Sequence, residues 1–254
     1  MSGTFAPAPG GASYAAQVRA QGVMETRLLL RNGEQLVLAI VIPVLALLAG
    51  VLGAERVGID FSEPAVDVLT PGVLALAVMS TSFASLAIAT GFERRYGVLK
   101  RLGTSPLPRT GLLLGKVIAL LVVQAVQVAV ISGVAFALGW RPQPDPLPAF
   151  VALVLGTAAF ASLGLLIAGA LRAEATLALA NLVFLLLMVG GGVVIPTEDY
   201  GAFGSVVAYL PSGALGDAMR AAVIDGAFAG GALLVLALWA AGAAFLTART
   251  FSWE

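Results

Sequence analysis

Cysteine and histidine are both absent from this chain. No disulfide and no thiolate metal site can form without the first. Imidazole catalysis, most zinc chemistry and histidine-based pH sensing are lost with the second. Charge is scarce as well. Asp, Glu, Lys and Arg make up 11% of the 254 residues, against about 25% in a typical soluble domain. So few ionic groups cannot cover a water-facing surface, and lipid becomes the natural solvent. The 14 basic and 14 acidic residues balance, so bulk electrostatics points to no nucleic-acid partner.

What is present is apolar: 59% of the chain is hydrophobic and the mean hydropathy is +0.99. The spacing of the charges is the clearest signal. Six uncharged intervals run from 20 to 26 residues, and about 20 residues of helix cross a ~30 Å hydrocarbon core. In lipid the backbone must satisfy its own hydrogen bonds, so each interval is expected to be a helix. The expected spans are approximately 35–54, 70–91, 117–140, 148–171, 175–196 and 226–248. The fold class is therefore an all-α polytopic membrane protein with six transmembrane helices. A seventh uncharged interval, 200–216, is short and rich in glycine. It reads as a re-entrant or interfacial pair of short helices broken near Pro211.

The basic residues set an orientation. Arg19, Arg27 and Arg31 precede the first span. Arg94, Arg95, Lys100, Arg101, Arg109 and Lys116 lie between the second and third. Arg172 follows the fourth span and Arg249 the sixth. That places 11 of the 14 on one side, while the other holds Arg56, Arg141 and Arg220 among nine acids. The positive-inside rule makes the first side, and both termini, cytoplasmic, in a cell (inner or plasma) membrane. The first apolar stretch begins too late and runs too long for a cleaved signal peptide. Residues 1–13 read as a disordered tail, and 14–254 as one transmembrane domain.

The segment from Phe92 to Lys116 reads FERRYGVLKRLGTSPLPRTGLLLGK. On a helical projection of residues 92–102, Val98, Leu102, Leu99, Phe92 and Tyr96 fall on one arc. Arg94, Arg101, Lys100 and Glu93 fall on the other, and Arg95 breaks the pattern. An amphipathic helix along the membrane surface is expected, stopped by Gly103, Pro106 and Pro108. From pattern alone, a topology-fixing basic loop and a docking helix for a soluble partner both fit.

The string Glu93-x-Arg95-x-Gly97-x-Leu99-Lys100-Arg101-Leu102, then Ser105-Pro106-Leu107-x-Arg109 and Gly115-Lys116, resembles the segment between the second and third spans of ABC-2 transporter permeases. Their drug- and antibiotic-export subset is the nearest in flavour. The resemblance implies that Glu93, Arg94, Arg95, Gly97, Leu99, Lys100, Arg101, Leu102, Pro106 and Arg109 form a coupling helix that seats in an ATPase subunit. It also makes residues 17–31 an interfacial "elbow" helix. Pro196, Tyr209, Pro211 and Arg220 then belong to external re-entrant helices acting as a gate. The implied partners are two copies of a cytoplasmic ABC ATPase, a second permease copy or paralogue, and membrane lipid. ATP and Mg would be held by the ATPase, with no cofactor in this chain and no nucleic acid.

An energy source is missing from the chain itself. The nearest approach to a phosphate-binding loop, Gly111 through Gly115-Lys116-Val117, is one residue short and lacks the hydroxyl. The expected spans carry no ionisable side chain, which argues against an ion-coupled carrier. Without histidine an intramembrane Ser–His hydrolase is excluded. Gln124 and Gln127 lie three apart on the third span and share a face. With Ser82, Ser85 and Asn181 they are either interhelical hydrogen-bonding groups or the lining of a substrate path. The uncharged interior favours a hydrophobic or amphipathic cargo, drug-, antibiotic- or lipid-like. Export of polysaccharide or glycolipid, and a non-transporting membrane scaffold, are the alternatives.

Overall fold

The computed structural model describes residues 12–57, 64–102, 107–142 and 145–251. Most of the expected tail, and Pro106, lie outside the described residues. Every regular element among them is helical. The order is α1 (Tyr14–Arg31), α2 (Gly33–Val57), α3 (Ala65–Met79), a π-helical turn (Ser80–Ser85), α4 (Leu86–Arg95), α5 (Val98–Leu102), α6 (Arg109–Ala137), α7 (Leu147–Ala170) and α8 (Ala173–Gly190). A 3₁₀ turn (Thr197–Phe203), α9 (Gly204–Ala208), α10 (Pro211–Ile224) and α11 (Gly230–Thr250) complete it. The all-α polytopic reading holds.

Among the described residues, five stretches are long and apolar enough to cross a membrane: Ala65–Arg95, Thr110–Ala137, Leu147–Ala170, Ala173–Gly190 and Gly230–Thr250. The helix α2 has 25 residues, with a shorter apolar stretch, Ala39–Gly53. It continues helical through Pro43.

The rod made by α3, the π turn and α4 is the centre of the molecule. From Leu69 to Met79 every residue is buried; Phe83 of the π turn, with Leu47, Ile131, Phe160, Leu215 and Leu236 from the surrounding helices, completes the core. Lipid tails are as apolar as leucine, so this assembly is held by close packing and interhelical hydrogen bonds rather than by expulsion from water. Phe83 meets Phe160 edge-on, ring centroids 6.2 Å apart. Beside them Gly164 of α7 lies under the π turn, where an added Cβ would sit 2.9 Å from the Phe83 carbonyl and 3.3 Å from that of Ser82. A π turn inserts one residue into the helical ladder; here it lies where α7 comes close enough to require a glycine.

Two expected elements differ. The helix expected through 196 ends at Gly190, because Gly192 takes a positive φ of 71° and residues 191–195 leave the helical path. The single amphipathic helix expected over residues 92–102 is broken. The rod continues to Arg95, Tyr96 and Gly97 turn with Gly97 at φ 69°, and only the five residues of α5 follow. The projection put apolar and basic residues on separate arcs but could not sense that left-handed glycine, which redirects the chain.

Side-chain contacts place the ends of the bundle. Lys116 meets Glu93, Arg94 meets Gly169 and Leu171, and Gly169 faces Phe251, so both described termini of the chain lie at this end. Asp67 accepts a bond from the Arg141 amide and Gly72 faces Val194 at the opposite end.

Gly164→Val is expected to cost about 1–3 kcal/mol through overpacking against backbone that cannot retreat. Gly133→Val, where an added Cβ meets nothing within 4 Å, should change little. Denaturation in mixed detergent compares the two.

Candidate functional site

Three groups of side chains hold the candidate residues. The first is at the terminus-bearing end. Lys116, on the second turn of α6, is buried at 6% side-chain exposure. Its ammonium lies 2.7 Å from Glu93 Oε1 on α4 and 3.3 Å from Glu25 Oε1 on α1. Gln21 donates a further bond of 2.8 Å to Glu25. Glu93 Oε2 is buried with no hydrogen-bond partner among the described residues. One cation thus joins three helices, with one more carboxylate than ammonium. The ion cluster borders a cavity of about 190 Å³ whose other walls include Leu28, Leu36, Ser85, Leu120 and Val123.

The neighbouring arginines are also committed inward. Arg94 donates to the carbonyls of Gly169 and Leu171, closing the C-terminus of α7. A cation there satisfies orphan carbonyls and complements the helix dipole. Arg95 pairs with Glu174 in the first turn of α8, both side chains at least half exposed. The described part of the segment that follows presents a different face. Leu99 is buried, Leu102 half-buried, and Lys100, Arg101 and Tyr96 are exposed, with Tyr96 stacked on Phe92 at 6.1 Å. Arg109 opens α6. The sequence placed Glu93 and Arg94 on one polar arc with Lys100 and Arg101; the structure divides them between the bundle and its outer surface.

The second group is the interior network. Gln124 Nε2 donates to Ser82 Oγ (2.6 Å), and Gln124 Oε1 accepts from the Thr157 hydroxyl (2.8 Å). Gln127 Oε1 accepts from Thr81 (2.9 Å), and its Nε2 donates to the Ala39 carbonyl (2.8 Å). Both glutamines are 1% exposed. Their oxygens and nitrogens are engaged within the chain, tying together α2, the π turn, α6 and α7. Ser85 lines the 190 Å³ cavity, and Asn181 is exposed on α8. Thr157 was missed by the sequence reading, since a lone threonine in an apolar run carries no signal until its neighbour is known.

The third group is at the opposite end. Arg220 of α10, 8% exposed, donates to the carbonyls of Gly192 (3.4 Å), Val193 (3.0 Å) and Val194 (2.7 Å) and pairs with Asp217 at 3.0 Å. Thr197 donates to the other Asp217 oxygen at 2.6 Å, and Ser212 donates to the Gly191 carbonyl at 2.7 Å. Burial pushes the Arg220 guanidinium below the usual arginine range, while Asp217 pulls it back up. Pro211 opens α10 at a position where its missing N–H costs nothing. Pro196 precedes the 3₁₀ turn. Tyr209 is exposed, and its carbonyl accepts from the Trp239 indole at 2.9 Å.

No group of three or more potential metal-ligating side chains occurs among the described residues. Comparison with family models finds a match to one described as ABC-2 type transporter, over residues 16–224. That interval runs from the first turns of α1 to the end of α10 and holds all three groups. No curated protein matches the chain.

Lys116→Met leaves two carboxylates in a buried site without a counter-charge, and should cost about 3–5 kcal/mol. Adding Glu93→Gln to that variant should restore part of the loss, a non-additivity expected of groups in contact. Denaturation curves of the single and double variants read both effects.

Proposed function

Because the chain belongs to the ABC-2 type transporter family, and so is the permease subunit of an ABC transporter, we propose that it works as an exporter driven by ATP hydrolysis in a separate subunit. The observation that carries this reading is the family match over residues 16–224. A second copy or a paralogue would complete the membrane part, and two cytoplasmic ABC ATPases holding ATP and Mg the rest. The positive bias toward the terminus-bearing end supports a cytoplasmic location for that end, in a cell membrane.

The arrangement around α5 supports its role as the coupling helix. Its segment is suspended between α4 and α6, and Glu93 and Lys116, one at each root, are bonded to each other. A push on α5 would reach both helices at once, and through Glu25 the helix α1. The exposed Tyr96, Lys100 and Arg101 would meet the ATPase. Glu93 and Arg94 would transmit the push rather than receive it. The parting of helices at the opposite end, where Arg220 holds the 191–195 stretch, would release cargo outward.

The cargo is taken to be hydrophobic or amphipathic. Gln124, Gln127 and Ser82 are engaged with one another and with their neighbours, which leaves apolar surface to meet it. Leu182, Leu185, Leu186 and Val189 of α8, with Val41, Ile42 and Leu45 of α2, are exposed. Those faces suit a path or a seam between two permease copies.

The test is affinity purification after co-expression with neighbouring ATPase genes, followed by reconstitution and export of a fluorescent amphiphile. Lys100→Glu and Arg95→Ala are expected to reduce export at least about tenfold while leaving the melting temperature within a few degrees, since exposed charges contribute little to stability. Normal export by both variants would overturn the coupling assignment. Failure to retain any nucleotide-binding protein would overturn the exporter reading.

A further inference from the structure

The helix α1 runs beside the first half of α6. Tyr14 donates to Thr110 Oγ1 at 3.2 Å, and eight residues on, Gly22 seats against Ile118. Along this pairing lies an open groove of about 600 Å³. Its walls are apolar, chiefly Val18, Val23, Leu114, Ile118 and Val122, and its charged residues are Arg19 and Arg27. No acid lines it. The one carboxylate between those arginines, Glu25, is turned to Lys116 on the other side of α1. Both arginines are exposed. They stand eight residues apart, about 12 Å along the helix.

We propose that this groove is a binding site for an anionic phospholipid. An acyl chain would lie along Leu114, Ile118 and Val122, and the phosphate would sit between the two guanidinium groups. Charge selects the occupant. A cationic amphiphile is repelled by both arginines, and a soluble anion gains nothing from the apolar walls. A zwitterionic lipid fills the walls but brings a cation to the same rim. An anionic diacyl lipid satisfies both features. Arginine's planar fork suits phosphate oxygens, and its aliphatic stem lies readily on an apolar wall. The site would fasten α1 to the bilayer beside the Glu25–Lys116–Glu93 cluster, so that the lipid composition bears on the position of that helix. The binding claim stands apart from the transport reading.

The experiment uses the purified full chain alone, without nucleotide or cargo. It is delipidated in detergent and titrated with dioleoyl phosphatidylglycerol or dioleoyl phosphatidylcholine, and bound lipid is counted by native mass spectrometry. Each basic residue near a membrane surface contributes about 1 kcal/mol to attraction for anionic lipid, so wild type should prefer phosphatidylglycerol roughly tenfold or more. The pair Arg19→Gln and Arg27→Gln should bring the ratio close to one. Arg31→Gln, on the same helix but outside the groove, should leave it unchanged. Ile118→Trp, which fills the groove, should lower retention of both lipids. Equal retention of the two lipids by wild type would overturn the proposal. So would an Arg31→Gln effect as large as that of the pair, which would mean surface charge without a site. A phosphatidylglycerol preference that persists undiminished in the pair would overturn it too.

Discussion

A charge in the middle of a lipid-embedded helix has no water, and it is tolerated only when another group in the protein takes the place of water. That constraint arranges the whole molecule. Among the described residues, ionic side chains gather at the two ends of the bundle, where several are used as fasteners. Lys116 draws α1, α4 and α6 together through Glu25 and Glu93. Arg94 closes the end of α7 and Arg95 reaches the start of α8. Five helices are thus joined by three cations within one narrow layer. The apolar lengths of the same helices contribute packing but little orientation, because leucine against lipid and leucine against leucine are nearly equivalent.

Between the two ends, hydrogen bonds set the register. The π turn at Ser80–Ser85 shifts the helical ladder where Thr81 and Ser82 meet Gln127 and Gln124. Thr157 and the Ala39 carbonyl close the network on α7 and α2. Each such bond is worth only about 0.6 kcal/mol on average in a membrane protein. Their use is angular: a slide of α6 by one residue would leave buried donors and acceptors without partners. The same bonds engage the amide ends of Gln124 and Gln127 within the chain.

The architecture was legible because charge is so rare here. Uncharged runs marked the helices, and the basic residues marked one end. What the sequence could not show was direction. Glu93, Arg94, Lys100 and Arg101 look alike on a helical projection, yet Glu93 and Arg94 point into the bundle, because the positive φ of Gly97 ends the rod and reorients the rest. Lys116 reads as the last residue of a basic loop. Its burial depends on Glu25, which is ninety-one positions away and invisible as a partner. The glycine run at 190–192 falls inside a helix on the uncharged-run reading, 175–196. It ends one, since the Gly191 and Gly192 carbonyls are received by Ser212 and Arg220 of α10.

The two ends are fastened in different ways. At the terminus-bearing end Lys116 gathers α1, α4 and α6 at one point, and Arg94 and Arg95 reach α7 and α8 separately. At the opposite end a stretch of non-helical backbone, residues 191–195, lies against α10. Irregular backbone at such a position is tolerated only where protein groups satisfy it. Arg220 does so alone for three successive residues, because the guanidinium offers five donors in a fixed fork; a lysine would present a single point of charge. For the 191–195 stretch to leave α10, the carbonyl bonds to Ser212 and Arg220 must break, while the Asp217–Arg220 pair lies within α10 and can persist. The two ends therefore differ in construction: side chains of several helices meet at one, and a length of backbone is held largely by one guanidinium at the other.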